Sequence, residues 1–414
     1  MTARSRRPAD LAQRAWHGLK IGMALSYRRL LPHVGFVGVT GSCGKTTTKE
    51  LIGAILSSRG AGCTSNQATN EPHRVASTVL AVRPWHRYCV HELGGFGPGV
   101  LGRSAVVLRP AVGVVTRVAF DHYTAYRGLE ATAREKSSLV RALPAGGTAV
   151  LNADDPRVLA MAACTAARVI TYGLSPEAMV RGEDASCAWP EPLSLTVAHG
   201  ETRVRVQTQL LGEHWVHAVL AALTAGVAMG VPLPQAVVAV SRVPPVRGRM
   251  SPHPMTDGVT FIDDTWKAPL YSVPVALRFL ATARARRRIA VFGTISDSPG
   301  SCAKRYRKAT RQALTVADAV FCVGPWADSA VRVHGAPGPE RLRAFGDLHA
   351  LRAFLREFLA PGDLVLLKGS CGADHLERLV LGWEQDFACW RRDCGRTAYC
   401  TDCRLRHRPW VPDP

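Results

Sequence analysis

The sequence contains no run of about 18 uncharged apolar residues, the length a helix needs to cross a bilayer, so no membrane-spanning helix is expected. An apolar leader is missing as well. Arg4, Arg6 and Arg7 open onto a mixed stretch rather than the greasy core of a secretory signal, and the expected location is cytoplasmic. Aromatic residues are sparse at 7%, yet 47% hydrophobic with 20% charged is the composition of a folded globular chain, which excludes disordered and fibrous classes. At 414 residues there is chain enough for two or three domains.

Lysine is scarce too: of 52 basic residues, 44 are arginine and only eight are lysine. A lysine amine is a compact charge that can be deprotonated and acylated, and guanidinium is neither. Four of the eight, Lys45, Lys136, Lys267 and Lys368, fall inside the motifs described below. Against 32 acids the bases leave a charge of +20, a surplus that suits nucleic acid or an anionic membrane when gathered on one face. Here nine of the twenty charges lie in residues 1–30 and 388–414. The moderately basic middle suits a phosphate-rich small substrate, and no nucleic-acid partner is expected.

Eight of the twelve cysteines are scattered, several inside apolar runs, as reduced buried thiols are in a cytosolic protein. The other four, Cys389, Cys394, Cys400 and Cys403, crowd into fifteen residues with His407 just beyond. Their spacing (x4, x5, x2) is not that of a common zinc ribbon. Structural zinc, an iron–sulfur cluster or disulfides, and an unliganded basic tail all remain open.

Residues 9–31 mix Leu11, Trp16, Leu19, Ile21, Leu25 and Leu30 with basic residues, which predicts a basic amphipathic helix, docked on the following domain or, alternatively, touching a membrane surface. From residue 34 short β-rich runs alternate with helical stretches: strands at 34–39, 88–93, 111–115 and 148–152, a helix at 45–58 and another at 215–229. Pro232, Pro234, Pro244 and Pro245 punctuate the chain, and the alternation then restarts with strands at 259–262, 288–292, 319–323 and 364–367. This pattern implies two α/β units with parallel sheets. The expected divisions are a basic helix (1–32), a P-loop domain (33–245), a Rossmann-like domain (246–386) and a Cys-rich tail (387–414).

The chemistry starts at TGSCGKTTT, residues 40–48, after a predicted strand and at the head of a predicted helix. Gly41, Ser42, Cys43 and Gly44 allow backbone amides to wrap phosphate oxygens, Lys45 neutralises them, and a hydroxyl from Thr46 or Thr47 reaches Mg²⁺. Val39 stands where the first glycine of a Walker A loop belongs.

This loop resembles that of the Mur ligases, ATP-dependent amide ligases of peptidoglycan synthesis, and further segments keep step over about residues 33–385. They are HELG at 91–94 with Pro98 and Gly99, AFDH at 119–122 with TAREK at 132–136, LNADD at 151–155, GR at 248–249, IDD at 262–264 and KGS at 368–370. The IDD and KGS segments are most similar to the branch that adds D-alanyl-D-alanine to a UDP-linked muramoyl tripeptide. The resemblance implies ATP and Mg²⁺, with phosphorylation of a carboxylate to an acyl phosphate that an amine then attacks. It places Thr46 and Glu92 on one metal and His122 on a second, with Lys136 a further ligand of that second metal if carbamylated. Arg249 and Asp264 would close on the nucleotide, with Lys267 near the phosphates.

Departures from the family's pattern bear on substrate. Two asparagines that read adenine in these ligases are Trp215 and Ala218 here, and Trp215 is a candidate to stack on the base instead. Only about 33 residues precede the loop where that branch carries a UDP-sugar domain, so a different carboxylate and amine are expected as the small-molecule partners. Asn66 and Arg74, in the polar segment 64–74, are candidates to hold the acid. The competing expectation is a degenerate ligase that binds nucleotide without turning it over.

Overall fold

A computed structural model describes residues 8–66, 71–95, 97–120, 126, 128–296, 301–385, 387–391 and 394–409. Two compact units make up the chain: Met1–Ala185 with Ser194–Thr208 and Trp215–Val243, and Ser186–Leu193 with Gln209–His214 and Pro244–Pro414. Among the described residues no helix is long and apolar enough to cross a membrane.

A sheet dominates the first unit. Its strands are β1 (Gly35–Thr40), β2 (Gly62–Thr64), β3 (Tyr88–Glu92), β4 (Val112–Val115), β5 (Thr148–Asn152), β6 (Arg168–Gly173), β7 (Val180–Ala188), β8 (Glu191–His199) and β9 (Thr202–Gln207), in the order β2-β3-β1-β4-β5-β6-β7-β8-β9. β1 runs parallel to β3 and β4, with Val39 opposite Glu92 and Thr40 opposite Val115. Strands buried on both faces need apolar side chains at nearly every position, which is why β1, β3 and β4 read as continuous rather than alternating runs. β8 and β9 pair antiparallel, and their exposed faces carry Arg203 and Arg205.

Helix Lys45–Ser57 buries Leu51, Ile52, Ile55 and Leu56, one face of a helical period, and packs on helix Val216–Ala228. The N-terminal helix, Pro8–Arg29, docks on this unit as its pattern suggested. Ala24 joins a core with Leu31, Val75, Val79 and Leu108, Tyr27 Oη donates to the Val82 carbonyl at 2.8 Å, and Arg28 Nε donates to Leu108 at 3.1 Å. Its outward side leaves Trp16, Leu19 and Met23 exposed.

The second unit repeats the architecture on a smaller sheet, β10 (Ser251–Pro254), β11 (Thr260–Asp264), β12 (Arg287–Phe292), β13 (Ala319–Val323), β14 (Leu342–Phe345) and β15 (Asp363–Lys368), in the order β10-β11-β15-β12-β13-β14. Only β10 is antiparallel to its neighbour; the rest are parallel. Phe261, Ile289, Phe321 and Leu367 form its core with Leu351, Leu355 and Trp383 from the covering helices. Helix Leu348–Phe358 starts where Asp347 accepts the Ala350 N–H at 2.8 Å, and it buries Leu348, Leu351 and Leu355 at helical spacing. The last segment of the first unit ends at Val243, and the second unit runs from Pro244 through the Cys-rich segment.

Candidate active site

β1 ends at Thr40, and the chain turns through Gly41 (φ 144°) and Gly44 (φ 79°) into helix Lys45–Ser57. Both angles belong to the region that glycine tolerates and side chains strain. At Gly41 there is no room either, since a Cβ would come within 1.8 Å of the Thr116 hydroxyl. At Gly44 nothing lies within 4 Å of a Cβ position. The helix has no side-chain cap and no acid in its first turn, so its leading N–H groups and positive dipole end are left for an anion.

Lys45 Nζ donates to the Gly41 carbonyl at 2.8 Å, folding the amine over the loop. Thr46 Oγ1 donates to Glu92 Oε2 at 2.7 Å, joining the loop to the end of β3. Both residues are buried, at 3% and 6% exposure. Thr47 is buried as well, and its hydroxyl has no hydrogen-bond partner among the described residues. Leaving such a group unpaired costs about 1–3 kcal/mol, and a phosphate oxygen at the loop would relieve it. The open loop, the orphaned hydroxyl and the Thr46–Glu92 pair fit a nucleoside triphosphate with its Mg²⁺.

The loop is held from behind. Ser42 N–H donates to Arg117 O at 2.7 Å, while Ser42 Oγ donates to Ala119 O at 3.0 Å and accepts from Ala119 N at 2.9 Å. Thr116 Oγ1 donates to Cys43 O at 2.6 Å. Asn152 Nδ2 in turn donates to Thr116 O, and Asp155 Oδ2 accepts from Val118 N. The LNADD segment is therefore the brace of the phosphate loop. Asp154 faces the other way and accepts from Leu174 N, Ser175 N and His217 Nε2. Burial pushes its pKa up, but those donors outweigh burial and hold it below the ordinary carboxylate value.

Lys136, in helix Leu129–Arg141, is buried at 1% exposure. Its neighbour Glu135 accepts from Gly99 N and Leu101 N at 2.8 and 2.9 Å, fastening the segment that follows β3. His122 lies outside the described residues, as do residues 67–70 of the polar segment. Trp215 heads helix Val216–Ala228 and is buried at 7% exposure.

Lys49 is a site residue that sequence reasoning passed over. It is fully buried, donates to the Ser65 carbonyl and pairs with Glu50 at 2.8 Å. Ser65 Oγ accepts from Glu92 N, so Lys49 holds the strand end that carries Glu92. The scarcity of lysine was the signal that could have found it.

A groove of about 1040 Å³ runs between helix Pro8–Arg29 and residues 71–74 and 100–107, lined by basic and apolar side chains and by Glu71. Arg14, Arg74 and Arg103 line it. His17 and His73 stack there with ring centroids 3.8 Å apart.

In the second unit Lys368 Nζ donates to Asp264 Oδ2 at 2.6 Å and to the Lys267 carbonyl at 3.0 Å, which ties KGS to IDD. Arg249 lies over the Trp266 ring, 5.9 Å from its centroid. Two acids support these loops: Asp374, which no motif marked, and Asp263 of the IDD segment. Asp374 accepts from Thr294 N, Ser370 N and Leu376 N, and burial raises its pKa to about 6 against those donors. Asp263 is fully buried and pushed up to about 7, by burial first and the nearby Glu377 and Asp264 carboxylates after it, although Thr265 donates to it.

The four tail cysteines come together. Cys389, Cys394, Cys400 and Cys403 line one narrow space with His375 and Arg378. His407 is not among them; it is exposed and accepts from Arg406.

Comparison with known proteins agrees with this geometry. The family "Mur ligase middle domain" matches residues 39–226, and "Mur ligase, glutamate ligase domain" matches residues 248–371. A UDP-N-acetylmuramoyl-tripeptide–D-alanyl-D-alanine ligase from Mycobacterium bovis is 30% identical over 386 residues, covering 86% of this chain and 74% of that one. A UDP-N-acetylmuramoylalanine–D-glutamate ligase from Symbiobacterium thermophilum is 31% identical over 342 residues, covering 81% and 70%. Among solved structures, MurF from Acinetobacter baumannii superposes with a TM-score of 0.81 at 23% identity, covering 88% of this chain and 80% of its own.

Proposed function

Because the chain belongs to the Mur ligase family, we propose that it joins a carboxylate to an amine at the expense of ATP, by way of an acyl phosphate. A carboxylate oxygen of the acid attacks the γ-phosphorus and ADP leaves. The amine then attacks the acyl carbon, gives up a proton and expels inorganic phosphate. Two anions meet in the first step, so the chain's task is to hold them in line and offset their charge. Loop amides and Lys45 do this at the β and γ phosphates. Thr46 and Glu92 are positioned to hold Mg²⁺, which when bound neutralises charge between those phosphates. By the family's pattern, His122 and a carbamylated Lys136 hold a second ion nearer the acid.

The observation that carries this reading is the Thr46–Glu92 hydrogen bond beside the orphaned Thr47 hydroxyl. A scaffold that binds nucleotide without turning it over would keep the same buried polar set, so turnover, not binding, separates the two readings.

The acid substrate we assign to the groove beside helix Pro8–Arg29, since Arg14, Arg74 and Arg103 offer charge for carboxylates or phosphates. The Mycobacterium bovis relative named for D-alanyl-D-alanine matches over more of the chain than the one named for D-glutamate, which favours an amine of the first kind, and the pair of substrates is a matter for assay. ATP as cosubstrate fits a cytoplasmic setting. Purified chain with ATP, Mg²⁺ and a panel of acids and amines is expected to release ADP and phosphate in equal amounts. Lys136→Ala is expected to abolish that release, and wild-type activity should fall when bicarbonate is stripped from the buffer. Tight ATP binding without turnover for any pair overturns the proposal.

A further inference from the structure

We propose that Cys389, Cys394, Cys400 and Cys403 hold one zinc ion, which staples the C-terminal segment onto the loop after β15 and through it braces the loops bearing Arg249 and Trp266.

Four thiols from a stretch of fifteen residues line one space. The space is about 10 Å³, roughly what a single water-sized guest occupies, a size that suits one ion. Tetrahedral sulfur coordination of one small closed-shell ion is the habit of structural zinc. Phe387 and Leu405 wall part of the space; Cys389 and Cys400 are buried, and Cys394 and Cys403 are partly exposed.

The surroundings are those of thiolates. Four of them on Zn²⁺ leave a net charge of −2, and nitrogen groups stand where that charge would be. Arg378, buried at 1% exposure, directs Nε at Cys400 Sγ from 3.2 Å. His375 Nε2 lies 3.0 Å from Cys394 Sγ and its Nδ1 3.5 Å from Cys400 Sγ. Glu377 orients that imidazole from 3.1 Å and accepts the Cys400 N–H at 3.3 Å. Such partners around the ligand sulfurs are what tune and rigidify a metal centre. Among the described residues the group whose ligand atoms lie within 4.8 Å of one another is Cys371, His375 and Glu377; the four tail sulfurs are spaced more widely and close in on the ion when it binds.

The segment needs a staple. Among its described residues the regular structure is one short 3-10 turn, Cys400–Asp402, and Ala388 N–H to Arg406 O closes it as a loop. A segment with so little backbone pairing of its own gains its order from a metal more readily than from packing. The staple reaches the site loops directly. Tyr399, next to Cys400, stacks on Trp266 with centroids 5.1 Å apart and donates to the Arg247 carbonyl at 2.8 Å. Arg247 in turn pairs with Asp402 at 3.1 Å.

Elemental analysis of the full chain, purified under reducing conditions without added metal, is expected to find about one zinc per chain. The Cys389→Ser/Cys400→Ser double variant should fall below about a tenth of that. His375→Ala, which removes a neighbour of the sulfurs but no ligand, should keep its zinc. Because the double variant may misfold, alkylation of the native wild type gives a second readout: Cys394 and Cys403, both partly exposed, should be protected until a chelator is added and react afterwards. Iron with acid-labile sulfide, a disulfide among these cysteines, full zinc in the double variant, or loss of zinc in His375→Ala with retention in Cys403→Ser would each overturn the assignment.

Discussion

Replacing Glu92 separates structural from chemical roles, because the same carboxylate accepts the Thr46 hydroxyl at 2.7 Å and is the proposed Mg²⁺ ligand. Glu92→Gln keeps the shape and an oxygen that still accepts from Thr46, so folding stability should change by less than about 1 kcal/mol. What disappears is a negative charge in a buried place. Removing one preorganised electrostatic group from such a site typically costs a factor of about 10²–10³ in kcat, or roughly 3–4 kcal/mol. Glu92→Ala should do both kinds of damage. It leaves the Thr46 hydroxyl, 3% exposed, without its acceptor, and about 1–3 kcal/mol of stability goes with it. Thermal melts of both variants, set beside steady-state phosphate release, make the comparison. Wild-type turnover in Glu92→Gln would refute the metal role; a Gln variant as unstable as the Ala variant would show the charge to be structural.

At Gly41 an added methyl meets the Thr116 hydroxyl at 1.8 Å, so Gly41→Ala should displace the loop. ATP binding measured by calorimetry should weaken by at least about tenfold while the melting temperature, dominated by the cores, moves little. Asp263 makes stability fall with rising pH. Its folded pKa, about 7, lies above the unfolded carboxylate value, so the folded state binds the extra proton. The stabilisation is full below the unfolded pKa and is lost as pH rises through 7, by an amount on the order of a few kcal/mol. Asp263→Asn should flatten urea-derived stability between pH 4 and 8, and an unchanged slope would refute the buried-proton reading.

How far the chain could be read without its structure differs from one region to the next. The parallel strands were legible because each carries a short apolar stretch, so β1, β3, β4, β5, β12, β13 and β15 lie within one or two residues of expectation. The β7–β9 region escaped notice, since its strands mix Arg, Glu and Thr on an exposed face and show no clean apolar run. In the site, Lys45, Thr46 and Glu92 were legible from their motifs. Lys49 and Asp374 were not, because no motif marks them and they act on the Ser65 carbonyl and the Thr294 N–H, which are distant along the chain; Asp263 stands in the IDD segment, but only the folded sheet shows that it is buried.

The sequence alone determined which chemistry the chain carries, since a glycine turn between strand and helix, with a lysine and hydroxyls at set offsets, presents phosphate-binding groups wherever the flanking elements form. Local spacing could not say what that turn rests on. Asn152 and Asp155 brace it from more than 100 residues away through Thr116 and Val118, and only packing of parallel strands side by side brings them there. The tail shows the same limit. Four cysteines in fifteen residues announced a cluster, but its nitrogen neighbours, His375 and Arg378, come from another element, and that contact exists only once the second sheet has folded.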